Sequence, residues 1–231
     1  MRRFSLAFLF VMFSAASLGA QIRGRGVRVN EPGAWISGGV AGFTGNGVND
    51  GKSGSTWDFG QSTSWQYRAS LERAMDNASS FGLAGTYVRI PFVYSSTAVI
   101  PAPGGSSGAS CSRCDAHLDM MTLMATFHAG GAAGFHQVIE VNGGIVAYRN
   151  LKRDADGVAL APSGGNIDPV FSFGYGFGYG LSERTTINLV QDYGIALHEK
   201  SGLSNGVSNT NTIRGLRLSA RMGFGARTGR R

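Results

Sequence analysis

Asp192, His198 and Ser201 place a carboxylate, an imidazole and a hydroxyl in one short stretch of chain. Those three groups can activate a nucleophile for acyl transfer, the base taking the hydroxyl proton while the carboxylate orients the base. The segment 185–198 alternates apolar with polar residues, so Asp192 and His198 share a strand face. Six positions along an extended strand separate them by about 20 Å, too far for a hydrogen bond. The spacing therefore predicts polar residues at a strand end. No catalytic residue is assigned.

A second set is Cys111 and Cys114, in Cys-Ser-Arg-Cys, followed by Asp115 and His117. In a reducing compartment the pair would suggest redox or metal chemistry. In an exported chain with only two Cys it predicts a local disulfide. Zinc on Cys111, Cys114 and His117 would fall short of the four ligands of a closed structural site, so neither metal nor cofactor is expected. Gly174, Gly176 and Gly178 precede no helix and make no phosphate cradle. Their expected role is to leave room for bulky side chains from other segments or to permit curvature. The stretch 101–108 reads as a solvated surface segment.

A third set is charged: Arg68, Arg217 and Arg221 against Glu72, Glu140 and Asp192, all assigned to one face of their segments. Charges in a narrow, poorly hydrated space are costly unless paired and hydrogen-bonded. Equal numbers of each sign predict a structural network rather than a selective pore lining.

These residues need elements to hold them. Residues 171–180 read Phe-Ser-Phe-Gly-Tyr-Gly-Phe-Gly-Tyr-Gly. The period of two puts Phe171, Phe173, Tyr175, Phe177 and Tyr179 on one face of a strand. No amphipathic helix is available to cover that face, and the chain opens with Arg2, Arg3, an apolar run and small residues through Ala20, the pattern of a secretory signal. The apolar run is too short for a membrane helix. Lipid against the aromatic face is the economical solution.

Seven further segments alternate. Trp35 and Phe43 share a face in 34–44, placed outward. In 64–73, Trp65, Tyr67, Ala69 and Leu71 point out while Arg68 and Glu72 point in. Segment 81–94 carries Pro91, which removes a ladder donor and suggests a bulge or rim position. Segment 118–128 is apolar on both faces in places, with Met121, Leu123, Ala125 and Phe127 placed outward; 135–149 and 185–198 follow the same code, and the eighth segment sets Leu216, Leu218, Ala220, Met222 and Phe224 outward. Connections at 45–63, 95–117, 150–169 and 199–212 are long; those at 74–80, 129–134 and 180–184 are short. Such alternation suits a membrane barrel with short inner turns and long outer loops. Trp35, Trp65, Tyr67, Tyr87, Tyr193 and Phe224 are placed among lipid-facing and girdle aromatics.

Composition agrees. The chain has 231 residues, 36 of them Gly, and 15% charged residues, against about 25% in typical soluble proteins. Losing residues 1–20 removes Arg2 and Arg3, so the net charge falls from +7 to +5. That charge is scattered; it suits an anionic lipid surface and not nucleic acid.

Signal, strand code, loop alternation and a closing strand ending at Phe224 together resemble the small eight-stranded outer-membrane barrels of the OmpA/OmpX type, over residues 33–224. The chain departs from that pattern by continuing past Phe224 with Gly-Ala-Arg-Thr-Gly-Arg-Arg. The resemblance implies an all-β, eight-stranded antiparallel up-and-down transmembrane β-barrel preceded by a signal peptide. The expected organisation is a signal at 1–20, a periplasmic segment at 21–32, the barrel at 33–224 and a basic periplasmic tail at 225–231. It implies outer-membrane lipid and lipopolysaccharide and the barrel-assembly machinery as partners, with an extracellular ligand on the loops. The expected role is non-enzymatic: envelope integrity or surface interaction. The alternatives are a lipid A-modifying enzyme of the deacylase kind, a small porin-like pore, and a soluble lipocalin-like binder. The spacing of His198 and Ser201 does not match the His/Ser pattern of the deacylases.

Overall fold

The computed structural model describes residues 31–60, 63–76, 78–96, 111–162, 165–204, 207 and 209–226. The expected signal peptide, most of the expected periplasmic segment, the whole stretch 101–108 and the end of the basic tail lie outside these residues.

Every element described is a strand: β1 (Ala34–Gly45), β2 (Val48–Asp50), β3 (Ser55–Asp58), β4 (Ser64–Ala74), β5 (Ser79–Ser96), β6 (Cys114–Gly130), β7 (Gly134–Arg153), β8 (Asn166–Ser182), β9 (Thr185–Leu197) and β10 (Thr210–Phe224). Eight of them pair antiparallel with their neighbours, and β1 pairs both β4 and β10, which closes the sheet into a barrel. Closure leaves no open edge, the condition for crossing lipid with strands. The first and last barrel strands meet in register, Ala34 opposite Phe224.

The partner register fixes the barrel's shape. Traced once around, it runs from Ala78 through Gly130, Val138, Gly176, Val190, Arg217, Ala41 and Gln66, and returns to β5 at Val88. That is a stagger from position 78 to position 88. Such a stagger tilts the strands by roughly 40° and leaves an interior that side chains can fill.

Alternation then sorts the two faces. Outward rows are exposed and apolar on every wall, among them Leu71, Leu83, Leu123, Val141, Phe173, Leu189 and Leu218. On β7 they run from Phe135 to Ile145; ten steps at ~3.3 Å and that tilt span about 25 Å, the height of a lipid-facing band. In water such a belt would be an aggregation surface; in hydrocarbon it needs no cover. Substituting Leu218, which is 54% exposed near mid-belt, with Arg should cost about 2–4 kcal/mol. Urea unfolding of the bilayer-inserted chain measures it. A wild-type midpoint would put protein, not hydrocarbon, against this face.

The aromatic strand lies on β8 with Phe171, Phe173 and Tyr179 exposed, and Tyr175 and Phe177 half-buried, Phe177 stacked on Phe135. Trp65, Tyr67 and Phe224 are exposed on the outer face. Trp35 is not. It is 6% exposed and, like Phe43, points inward, while Ile36 and Val40 take the outer face. In β1 the Gly residues at 38 and 42 fall on the outer face, so aromatic positions alone assigned its parity wrongly. The Arg221 guanidinium stacks over the Trp35 ring at 4.7 Å, a pairing available only inside.

The short connections are 75–78, 131–133 and 183–184; the long ones are 46–63, 97–113, 154–165 and 198–209. The strands run further into the long loops than their alternation suggested. Part of the first loop is itself sheet: β2 and β3 form a hairpin, and β3 pairs the outer end of β5. Pro91 lies where β5 passes from the register of β4 to that of β3. The bulge falls on the next pair instead, between His117 and Asp119 of β6, opposite Asn150 with φ 53°.

Candidate functional site

The inward residues divide the lumen into two storeys. In the inner half the six predicted charges form two clusters. Arg217 donates to Glu140 at 2.5 Å and to Asp192 at 2.8 Å, and Arg68 reaches Glu140 at 3.3 Å. Arg221 donates to Glu72 at 2.7 Å. Hydrogen bonds extend both groups, although Arg68 Nε and Arg221 Nε are buried without a partner. Arg68 also donates to Asn142 at 2.9 Å and to Thr126 at 3.2 Å. Glu72 accepts from Ser70 at 2.6 Å and Ser80 at 2.5 Å. Alternation assigned the six charges to one face; it overlooked His128, which lies 3.2 Å from Glu140 and is fully buried. Its place at the end of the fourth apolar segment hid it.

Gly174 and Gly178 make room for this storey. A Cβ on Gly174 would lie 2.7 Å from the Asp192 carboxylate, and one on Gly178 2.3 Å from His136 Nε2. Their missing side chains are replaced by neighbours' polar groups.

The outer storey is apolar. Phe43, Val88, Ile90, Phe92, Tyr94, Leu118, Met120, Val146, Tyr148 and Val170 point in from the walls, and Val48, Trp57 and Phe59 enter from the first loop. The segment is thus a hydrophobic core inside a barrel, with the β2–β3 hairpin as its lid. Trp57 is fully buried, edge-on to Tyr148 and to His198, each at 5.6 Å, and its indole N–H donates to Ser55 at 2.9 Å.

At the rim of this core a polar latch joins three segments. His198 Nδ1 sits 2.7 Å from Asp168 of β8 and Nε2 3.7 Å from Asp50 of β2. Asn209 donates to the His198 carbonyl, and Asn166 contacts the ring at 3.2 Å. Outside it the first and fourth loops touch backbone to backbone: a Cβ on Gly51 would lie 2.3 Å from the Ser201 carbonyl oxygen, and Gly202 has φ +81°, a conformation glycine adopts without strain. Lys52 pairs with Glu199 at 2.5 Å across the same contact. Sequence reading missed Asp50 and Asp168 because both fell within stretches read as loops.

The hydrolase set does not assemble. Asp192 pairs with Arg217, His198 with Asp168, and Ser201 with Glu199 at 2.7 Å. Cys111 and Cys114 are joined as a disulfide. Among the described residues no group of three His, Cys, Asp or Glu side chains is placed to hold a metal ion.

The latch carries a pH dependence. Burial disfavours the charged imidazole of His198, but the hydrogen bond to Asp168 and the charges of Asp168 and Asp50 outweigh it and raise its pKa. A raised folded pKa stabilises below the unfolded value of about 6.5, and that contribution is lost as pH rises through the folded value. The hairpin should therefore exchange amide hydrogens more slowly at acid than at alkaline pH, after correction for intrinsic rates. Substituting His198 with Gln should remove that difference; a dependence that survives His198→Gln would assign it to another group.

Geometry and surface together define a membrane-spanning, eight-stranded β-barrel whose interior holds paired charges and an apolar core. No family model and no curated protein matches the chain. Among solved structures it is similar to Neisserial surface protein A, at 11% identity over 83% of this chain and 97% of that one, with a TM-score of 0.48. It is also similar to the outer membrane protein OprG from Pseudomonas aeruginosa, at 13% identity over 86% and 97%, TM-score 0.45. A third is the outer membrane protein AlkL, at 14% identity over 91% and 99%, TM-score 0.45. The outer membrane enzyme PagL is matched too, at 10% identity over 82% of this chain and 99% of that one, with a TM-score of 0.36.

Proposed function

We propose that the chain is a non-enzymatic protein of a bacterial outer membrane, a rigid barrel that presents its long loops at the cell surface for envelope integrity or surface interaction. The observation that carries this reading is the filled lumen. Paired charges occupy one storey and an apolar core the other. What remains available to partners is the outer crown, where the first loop is tied to the fourth at Gly51 and Gly202 and the third to the outer end of β6 through His117 and Asp154 at 2.6 Å. Rigid scaffolds commonly carry function on such loops.

The test is the full chain extracted in detergent and run on a gel with and without heating. A folded, closed barrel should migrate differently from its boiled form. Planar-bilayer recordings of the same preparation should show no discrete conductance; steady channel openings would replace this reading with the pore. Ser201→Ala and His198→Ala should leave lipid A processing at background, and activity in the wild type lost in either variant would replace it with the enzyme.

A further inference from the structure

Above the lipid-facing rows of one wall, the next outward residue on three adjacent strands is charged. Tyr87 of β5 is followed by Arg89, Met121 of β6 is preceded by Asp119, and Ala147 of β7 is followed by Arg149, and the three charged residues lie side by side in register. One step further out, Lys152 of β7 pairs with His117 of β6. Arg89 and Arg149 thus flank one carboxylate in register at the upper edge of the apolar belt, with Lys152 one step further out. The other acids of this wall, Asp115 and Asp154, lie further out, Asp154 being held by His117.

Asp119 acts as an organiser. It accepts from Arg89 Nε at 2.9 Å and Nη2 at 3.3 Å, from the Tyr87 hydroxyl at 3.0 Å and from Asn150 Nδ2 at 2.7 Å. The bulge and the positive φ at Asn150 bring that amide to it. Arg89 is held on one side of its planar fork, yet its side chain is 59% exposed, leaving donors turned away from Asp119. A fixed guanidinium with two more cations beside it suits a phosphate.

We propose that this strip on the outer wall binds the phosphate of an outer-leaflet lipid headgroup. The inference rests on the membrane reading above, because only there does the strip lie at headgroup depth. Its position next to hydrocarbon-facing Tyr87 and Met121 favours a phosphate tethered to acyl chains over a free one. The same chains that cover the apolar rows would deliver the headgroup to the cations.

The test uses the full chain refolded in phosphatidylcholine nanodiscs containing a minor fraction of phosphatidic acid, with retained lipid counted by native mass spectrometry. Wild type should retain phosphatidic acid well above its bulk share, and Arg89→Gln/Arg149→Gln/Lys152→Gln should lower that enrichment about tenfold. Lys200→Gln, on the exposed fourth loop, should leave it unchanged. Equal enrichment in wild type and the triple variant overturns the proposal. So does loss of retained lipid on adding millimolar inorganic phosphate with phosphate bound in its place, which would name the free ion as ligand. A chain without a heat-shifted band would overturn the membrane reading itself. That outcome is distinguishable, because the first two are scored on chains that show the band.

Discussion

Glu140→Ala should lower the stability of the inserted barrel by about 3–5 kcal/mol, the cost of stranding a buried charge. Glu140 is the shared acceptor of the larger lumen cluster: Arg217, Arg68 and His128 all converge on it. Without it Arg217 keeps Asp192 and Arg68 keeps Asn142 and Thr126, but two guanidinium groups then face each other across a space that water enters poorly. The pairing itself need not stabilise the barrel relative to an apolar filling, since desolvation offsets most of the attraction. The double variant Glu140→Leu/Arg217→Leu should therefore lose much less than the sum of the two single changes. Urea titration, scored by the heat-shifted gel band, reads all three. Additive losses of under ~1 kcal/mol each would mean that water already screens these charges and that the lumen is wet.

The parts of this arrangement that could be read in advance follow from the strict period of two. On β8 and β10 that period is nearly uninterrupted, and it sorts the two faces: Phe171, Phe173, Leu216 and Leu218 outside, Arg217 and Arg221 inside. The six lumen charges were legible for the same reason, since a charge on the hydrocarbon face is too costly to leave there. Where a strand's outer face holds Gly, as in β1, the period loses its sign, and Trp35 was assigned to the wrong side. The outer storey was illegible for a different reason. Once the barrel rises past the lipid its interior turns apolar, so Ile90, Phe92, Leu118 and Met120 follow a rule opposite to that of the inner half. A single outward-apolar code cannot describe both. The Asp50–His198–Asp168 latch joins residues far apart in sequence, and only the closed register brings β2, β8 and the end of β9 together.

The lower cluster and the upper core also differ in what they specify. Directional pairs such as Arg217 with Glu140 and Arg221 with Glu72 fix which strands face one another across the lumen. The apolar core helps fix where the first loop lies, because burial of Val48, Trp57 and Phe59 adds to the pairing of β3 with β5 in holding the β2–β3 hairpin on the barrel. The crown that we assign to partners thus owes its shape to the outer storey and not to the charges beneath.

Trp57→Ala should test that division. Trp57 is fully enclosed, and truncating a buried Trp costs about 3–5 kcal/mol through lost transfer energy and the cavity left behind. The hairpin is short, and its other anchors are Val48, Phe59, the Asp50–His198 and Lys52–Glu199 contacts and the four-residue pairing of β3 with β5. The loss should therefore appear as local release rather than global unfolding. Hydrogen exchange should accelerate in Val48–Asp58 and at the outer end of β8 near Asp168, while the inner ends of β7 to β10 keep wild-type protection. Trp57→Phe, which retains most of the ring contact with Tyr148, should fall between the two. If the hairpin of the Trp57→Ala chain stays as protected as in wild type, strand pairing of β3 with β5 holds the lid and the apolar core does not. Uniform acceleration through every strand would instead show that the two storeys unfold as one.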